Sequence, residues 1–246
     1  TDKAGNQSSF TKSTDNSSVL FDKSPAEIEE IQVKTKYLVK QGDNASIHFV
    51  KQGDNATIQF QTNETIQTPS VTLAGKTAEV TGSDKEWSAT RFFEDSENIS
   101  EGRMSYSIQM IDEIGNKSLP DNQSSHAVEL FFDETPPLGS INKLYSQWNT
   151  DNKSTKVTFS ISATDNTTEF QSGLRGWLLK DNDSTSPSID SAWSDKTTLP
   201  LNQKPGVRDI YAWFIDNVGN ISAPSTVLIK TPSIFKVIAD NSSGFY

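Results

Sequence analysis

Met104-Ser-Tyr106-Ser-Ile108-Gln-Met110-Ile-Asp112-Glu-Ile-Gly115-Asn116-Lys-Ser118 reads as an alternating strand that runs into a turn. Every second residue of a strand lies on one face, so Tyr106, Ile108 and Met110 share a face. Asp112 and Asn116 supply turn chemistry, because a short carboxylate or amide bonds to nearby backbone, and Gly115 admits positive φ. The pattern recurs as Ile210-Tyr-Ala212-Trp-Phe214-Ile-Asp216-Asn-Val-Gly219-Asn220-Ile-Ser222, and its turn appears once more as Asp2-Lys-Ala-Gly5-Asn6-Gln-Ser8. The three turn aspartates are 110 and 104 residues apart, which is the period of one β-sandwich domain. The motif is therefore read as a strand-turn-strand corner rather than as a ligand site.

A second mark follows each corner. Phe21-Asp22-Lys-Ser-Pro25 and Phe132-Asp133-Glu-Thr-Pro136-Pro137 lie 20 and 21 residues after their turn aspartates, and Lys230-Thr-Pro232 follows the third. Proline donates nothing to a ladder and keeps its predecessor extended, so these are strand ends and stiff joints. The expected boundaries are residues 1–23, the end of a preceding module; 24–134 and 135–231, two complete β-sandwiches; and 232–246, the first strand of a following module. Short strands fill both: Val71-Thr-Leu73 and Ala78-Glu-Val80 around a hairpin, Trp87 to Phe92, Val157 to Ala163, Leu174 to Leu179 and Val227 to Ile229. Short strands between turn signals, with weak helical periodicity, predict an all-β fold of tandem antiparallel sandwiches in an elongated array.

One segment is duplicated. Val39 to Phe49 is repeated by Val50 to Phe60 with two differences in 11 positions. An odd insertion inside one strand would reverse every side chain's facing, so the extra copy is expected to form its own hairpin arm or to loop out.

Composition agrees. Hydrophobic residues are 33% of the 246, below the usual level for a large single globule, which favours several thin units with small cores. A formal charge of −10 argues against nucleic acid, and no apolar run approaches the length of a membrane span. The chain holds no Cys, which removes disulfides, thiolate nucleophiles and thiolate zinc sites. It opens at Thr1 without Met or leader, and is read as an excerpt of a longer protein.

With these motifs in order, the chain resembles the tandem immunoglobulin-like modules (Big-type repeats) of large bacterial and archaeal surface or secreted adhesin-like proteins. Residues 51–118 are similar to one repeat type, through Gly53-Asp54, Pro69-Ser-Val71-Thr-Leu73-Ala-Gly75-Lys76, Trp87, Glu101-Gly102 and Tyr106 to Ser118. Residues 157–222 are similar to a related type, through Ser172-Gly173-Leu174, Trp177, Trp193 and Tyr211 to Phe214, and Ile234 to Tyr246 is similar to the opening of another. The resemblance implies non-enzymatic spacers or binding modules.

Little catalytic chemistry is legible. His48 and His126 have no His or Cys partner nearby, and there is no phosphate loop, nucleophile elbow or His-Glu-x-x-His. The chain is expected to be no enzyme and to need no cofactor, with calcium as the one metal its oxygen ligands suit. Asp112, Asp133 and Glu134 are candidate calcium ligands at a module joint. Trp148 and Trp193, in polar surroundings, are candidates for stacking on sugar. Of 17 Asn, 13 stand in Asn-x-Ser/Thr, against about four expected by chance; Asn63, Asn98, Asn122, Asn152, Asn166 and Asn182 are the glycosylation candidates.

The expected function is a stalk or adhesion segment of a large prokaryotic surface protein, extracellular or on the cell surface, that spaces or presents a binding region. Its expected partners are neighbouring modules of the same chain and a surface protein or glycan, with no nucleic acid and no membrane insertion. Alternatives are accessory modules of a secreted glycan-degrading enzyme, or a surface-layer or appendage subunit.

Overall fold

The computed structural model describes residues 22–40, 46–122, 126, 128–149, 154–165, 171–201 and 206–231. The expected tails at 1–23 and 232–246 therefore lie almost wholly outside the described residues. Among the described residues no helix forms, and the chain builds strands throughout. In order these are β1 (Ile28–Thr35), β2 (Tyr37–Lys40), β3 (Ser46–Val50), β4 (Asn55–Thr62), β5 (Ser70–Leu73), β6 (Lys76–Thr77) and β7 (Glu79–Ser83). There follow β8 (Glu86–Phe92), β9 (Gly102–Arg103), β10 (Tyr106–Gln109), β11 (Leu130–Phe132) and β12 (Leu138–Asn149). The last are β13 (Ser154–Thr164), β14 (Leu174–Asp181), β15 (Thr198–Leu201), β16 (Gly206–Asp216) and β17 (Ser225–Thr231).

Two compact units result: Thr1–Gln32 with Gln59–Ala89 and Tyr106–Ala127, and Val33–Ile58 with Thr90–Ser105 and Val128–Tyr246. One four-stranded sheet is ordered β1-β4-β8-β7. The first unit also holds the sheet β10-β5-β6, in which Tyr106, Ile108, Val71 and Leu73 are buried. Its hairpin turns at Ala74-Gly75, both with positive φ.

The second unit holds three further sheets: β2-β3-β11-β9, β12-β13-β15 and β14-β16-β17. Its main core takes Ile141, Val157, Phe159 and Leu201 from β12-β13-β15, and Ile210, Ala212, Phe214 and Ile229 from β14-β16-β17. Four side chains from each of two antiparallel sheets, meeting in one cluster, make a β-sandwich. The layers come close at Gly139, where a Cβ would stand 2.3 Å from the Phe214 ring.

The duplicated segment forms a hairpin, one of its two expected outcomes. β2 and β3 pair antiparallel from Tyr37↔Phe49 to Lys40↔Ser46, and β3 then runs parallel to β11. A turn at Lys51–Asp54, within the second copy and with Gly53 at φ 84°, separates β3 from β4. One copy supplies β3 to the sheet of β11, and the other supplies β4 to the sheet of β1 and β8. In β4 the alternation holds, with Ala56, Ile58 and Phe60 buried, while in β3 the neighbours Phe49 and Val50 are both buried. Because a turn intervenes, the odd length reverses no strand.

Candidate functional site

The repeated turn is built twice on the same plan, with one donor to its aspartate exchanged. Asp112 Oδ1 accepts the amides of Ile114 at 3.0 Å and Asn116 at 2.7 Å. Asp216 Oδ1 accepts those of Gly219 at 2.7 Å and Asn220 at 2.8 Å. The glycines take φ of 100° and 90°, which only a residue without Cβ adopts readily. Ser118 and Ser222 each accept a strand amide, from Met110 and Phe214, at 3.0 Å. Each motif residue thus satisfies a backbone group that the bend would leave bare.

The motif Asn does a second job. Asn116 Nδ2 donates to Asp112 Oδ2 at 2.7 Å and to the Asp22 carbonyl at 3.3 Å. Asn220 Nδ2 donates to Asp216 Oδ2 at 2.8 Å and to the Asp133 carbonyl at 3.1 Å. The turn is thereby clamped to the segment at Asp22 or Asp133, and the aspartate of that segment is brought beside the turn aspartate.

Among the described residues two clusters of three carboxylates result, Asp22 with Glu64 and Asp112, and Asp133 with Asp165 and Asp216, each offering one oxygen per residue within 4.8 Å of the others. The first lies in the first unit and the second in the second. In the second cluster the exposures are 3%, 4% and 0%. Ser172 N donates to Asp133 Oδ2 at 3.0 Å, and Gly173 N to Asp165 Oδ2 at 2.6 Å.

Electrostatics separates the two. Desolvation raises Asp216, and although hydrogen bonds from Asn220 oppose it, Asp133 and Asp165 add repulsion, so the carboxyl is pushed up to about 7. Asp133 is raised by the same burial, against hydrogen bonds from Ser172 and with repulsion from Asp165 and Glu101. In the first cluster Asp112 is pushed up by desolvation, but bonds from Asn116, Gly115 and Ile114 outweigh that and hold it below the usual range. Glu64 carries the strain there, raised by desolvation and by Asp22 and Asp112, with Lys85 opposing.

Of the candidate ligands read from the sequence, Asp112 and Asp133 belong to different clusters. Glu134 joins neither: its amide donates to Glu101 Oε1 at 3.2 Å, and burial raises its carboxyl against the pull of Lys51. Sequence reasoning did not single out Glu64 or Asp165 as ligands. A signal exists, since each lies just past the end of an alternating strand, β4 ending at Thr62 and β13 at Thr164. Asp22 and Asp216 were legible as punctuation and as motif, but not as neighbours.

The remaining candidates scatter. Asn63, Asn98 and Asn182 are exposed and Asn122 is half-buried, while Asn152 and Asn166 lie outside the described residues. Trp193 is half-buried with its indole donating to the Ser188 carbonyl at 3.1 Å, and the Trp148 side chain lies outside the described residues. His126 pairs with Asp121, and His48 meets Thr35.

A scan against models of known protein families finds none that matches, and a search of curated proteins finds no similar one. Among solved structures, 28 chains match. They include the fibronectin(III)-like modules of Clostridium thermocellum CbhA, at 11% identity over 81% of this chain and 93% of that one, with a TM-score of 0.36.

Proposed function

We propose that this chain is a non-enzymatic spacer segment of a large extracellular or cell-surface prokaryotic protein, built of tandem immunoglobulin-like modules at 24–134 and 135–231. One observation carries the reading: each corner is clamped by its Asn to the joint segment and gathers three carboxylates there. This is how a chain fixes the entry of a module, and the turn aspartates are occupied in holding backbone.

Calcium is the cation these clusters fit. Three carboxylates beside backbone carbonyls are hard oxygen donors at flexible geometry. Three buried acids in one place repel unless a proton or a cation joins them. The ion would hold joint and turn together and stiffen the array, whose neighbours and whose surface or glycan partner it would space apart. Isothermal calorimetry together with melting in calcium and in chelator tests this: binding heat and a raised Tm are expected, and absence of both overturns the calcium reading.

N-linked glycans on the exposed sequons would shield such thin, polar modules. Asn116 and Asn220 are excluded from that set because their amide nitrogens hold the turns. Intact mass of native material checks it, and bare polypeptide removes the glycans from the reading.

A further inference from the structure

β12 changes phase part-way along its length. Ile141 pairs with Ile161, and Lys143 pairs with Phe159, one of the buried side chains of the main core. Steps of two from Ile141 would bring Tyr145 to that same inner face, opposite Val157. A bulge between Lys143 and Tyr145 prevents it: Tyr145 stands opposite Thr158, and Ser146 takes the place opposite Val157. Thr158 alternates with buried Val157 and Phe159, so it lies on the face turned from the core. A strand re-aims a side chain by taking in one extra residue. Here the bulge presents a tyrosine, 58% exposed, that regular alternation would have turned inward.

The ring stands in a polar, acid-free setting. On this outer face the register sets Asn142 against Ser160, Tyr145 against Thr158 and Gln147 against Lys156, and all but half-buried Thr158 are exposed. β12, β13 and β15 hold 12, 11 and 4 residues with no Asp or Glu among them, although 32 of the 246 residues are acidic and the formal charge is −10. Their charged side chains are Lys143 and Lys156, both exposed. An aromatic ring among amides and hydroxyls joins a rigid contact area to adaptable hydrogen bonds, the composition of a binding surface. A sugar ring matches it, with a face of C–H groups for the tyrosine and a rim of hydroxyls for the polar rows. A positive sheet on an acidic chain admits a carboxylate that the rest of the surface repels. We propose that the outer face of β12-β13-β15 binds an acidic polysaccharide, with a sugar ring stacked on Tyr145 and a uronate carboxylate at Lys156. This names the glycan partner of the spacer reading and rests on it.

Surface plasmon resonance of the full 246-residue chain over immobilised polygalacturonate, alginate and hyaluronan tests this, with dextran as the neutral control. At least one of the uronates should bind, more weakly as salt is added, and Tyr145→Ala should weaken that binding at least about tenfold. Lys156→Gln should weaken it less, and Tyr145→Phe, which keeps the ring, should bind nearly as well as the parent chain. Binding to none of the three, undiminished binding by Tyr145→Ala, or dextran held as tightly as the uronates overturns the proposal. Should the melting curve of Tyr145→Ala show a disturbed fold, Tyr145→Phe and Lys156→Gln decide instead: a Phe variant that no longer binds, or a Gln variant that binds undiminished, overturns it. Calcium stabilisation intact in a chain that binds no uronate would leave the spacer reading standing.

Discussion

Buried Asp216 makes the stability of this protein fall as pH rises, over a range where most proteins change little. Its carboxyl is pushed up to about 7 from an ordinary 3.8, so between those values the folded chain holds a proton that the unfolded chain has released. A folded state that binds more protons loses stability with rising pH. The contribution is therefore fully present near about pH 4 and gone above about pH 7, and three pKa units correspond to about 4 kcal/mol. Raised Asp133 adds the same sign. His48 opposes it below about pH 6.5, because burial lowers its pKa and the unfolded ring takes a proton that the folded ring refuses. The clean background is His48→Gln, since Gln59 holds the matching place in the second copy of the duplication. Urea midpoints followed by tryptophan fluorescence should fall between about pH 5 and about pH 8 in chelator. Asp216→Asn should remove most of the fall and leave the smaller part due to Asp133, and calcium should flatten it by holding the trio ionised. A chelated midpoint that is flat or rises across that range refutes the electrostatic argument, and a slope that calcium leaves untouched refutes the ion.

Three further outcomes are expected. Ser118→Ala and Ser222→Ala each strand a strand amide and should cost about 1–3 kcal/mol, more at buried Ser118; chemical denaturation that finds both neutral would sink the corner account. Gly139→Ala drives a methyl into the Phe214 ring and should cost about 1–3 kcal/mol, so an unchanged melting curve would show that the sheets can part. Deleting residues 40–50 joins Val39 to Lys51 and puts Leu38 in the place of Phe49 beside β11; the fold should survive with a loss of about 1–2 kcal/mol, and loss of a cooperative melt would mean that β2 cannot replace β3.

The β fold was legible because its signals are local. Alternation at Tyr106, Ile108 and Met110 depends on a two-residue period, and Asp112, Gly115, Asn116 and Ser118 each bond within eight residues of themselves. The candidate site was only partly legible, for the opposite reason. Asp133, Asp165 and Asp216 are separated by 32 and 51 residues, and one pair of acids among 32 looks like any other until strands carry them together. Glu134, adjacent in sequence to Asp133, was the natural second ligand, yet neighbours on an extended segment point to opposite sides.

By itself, then, the sequence determined the strands and the repeated corner, because hydrogen bonding within a turn and the facing of a strand are set by nearby residues. Tertiary structure decided which acids meet, and that one copy of the duplication serves β3 and the other β4. Those outcomes depend on what packs across from each residue, and the partner comes from a distant part of the chain.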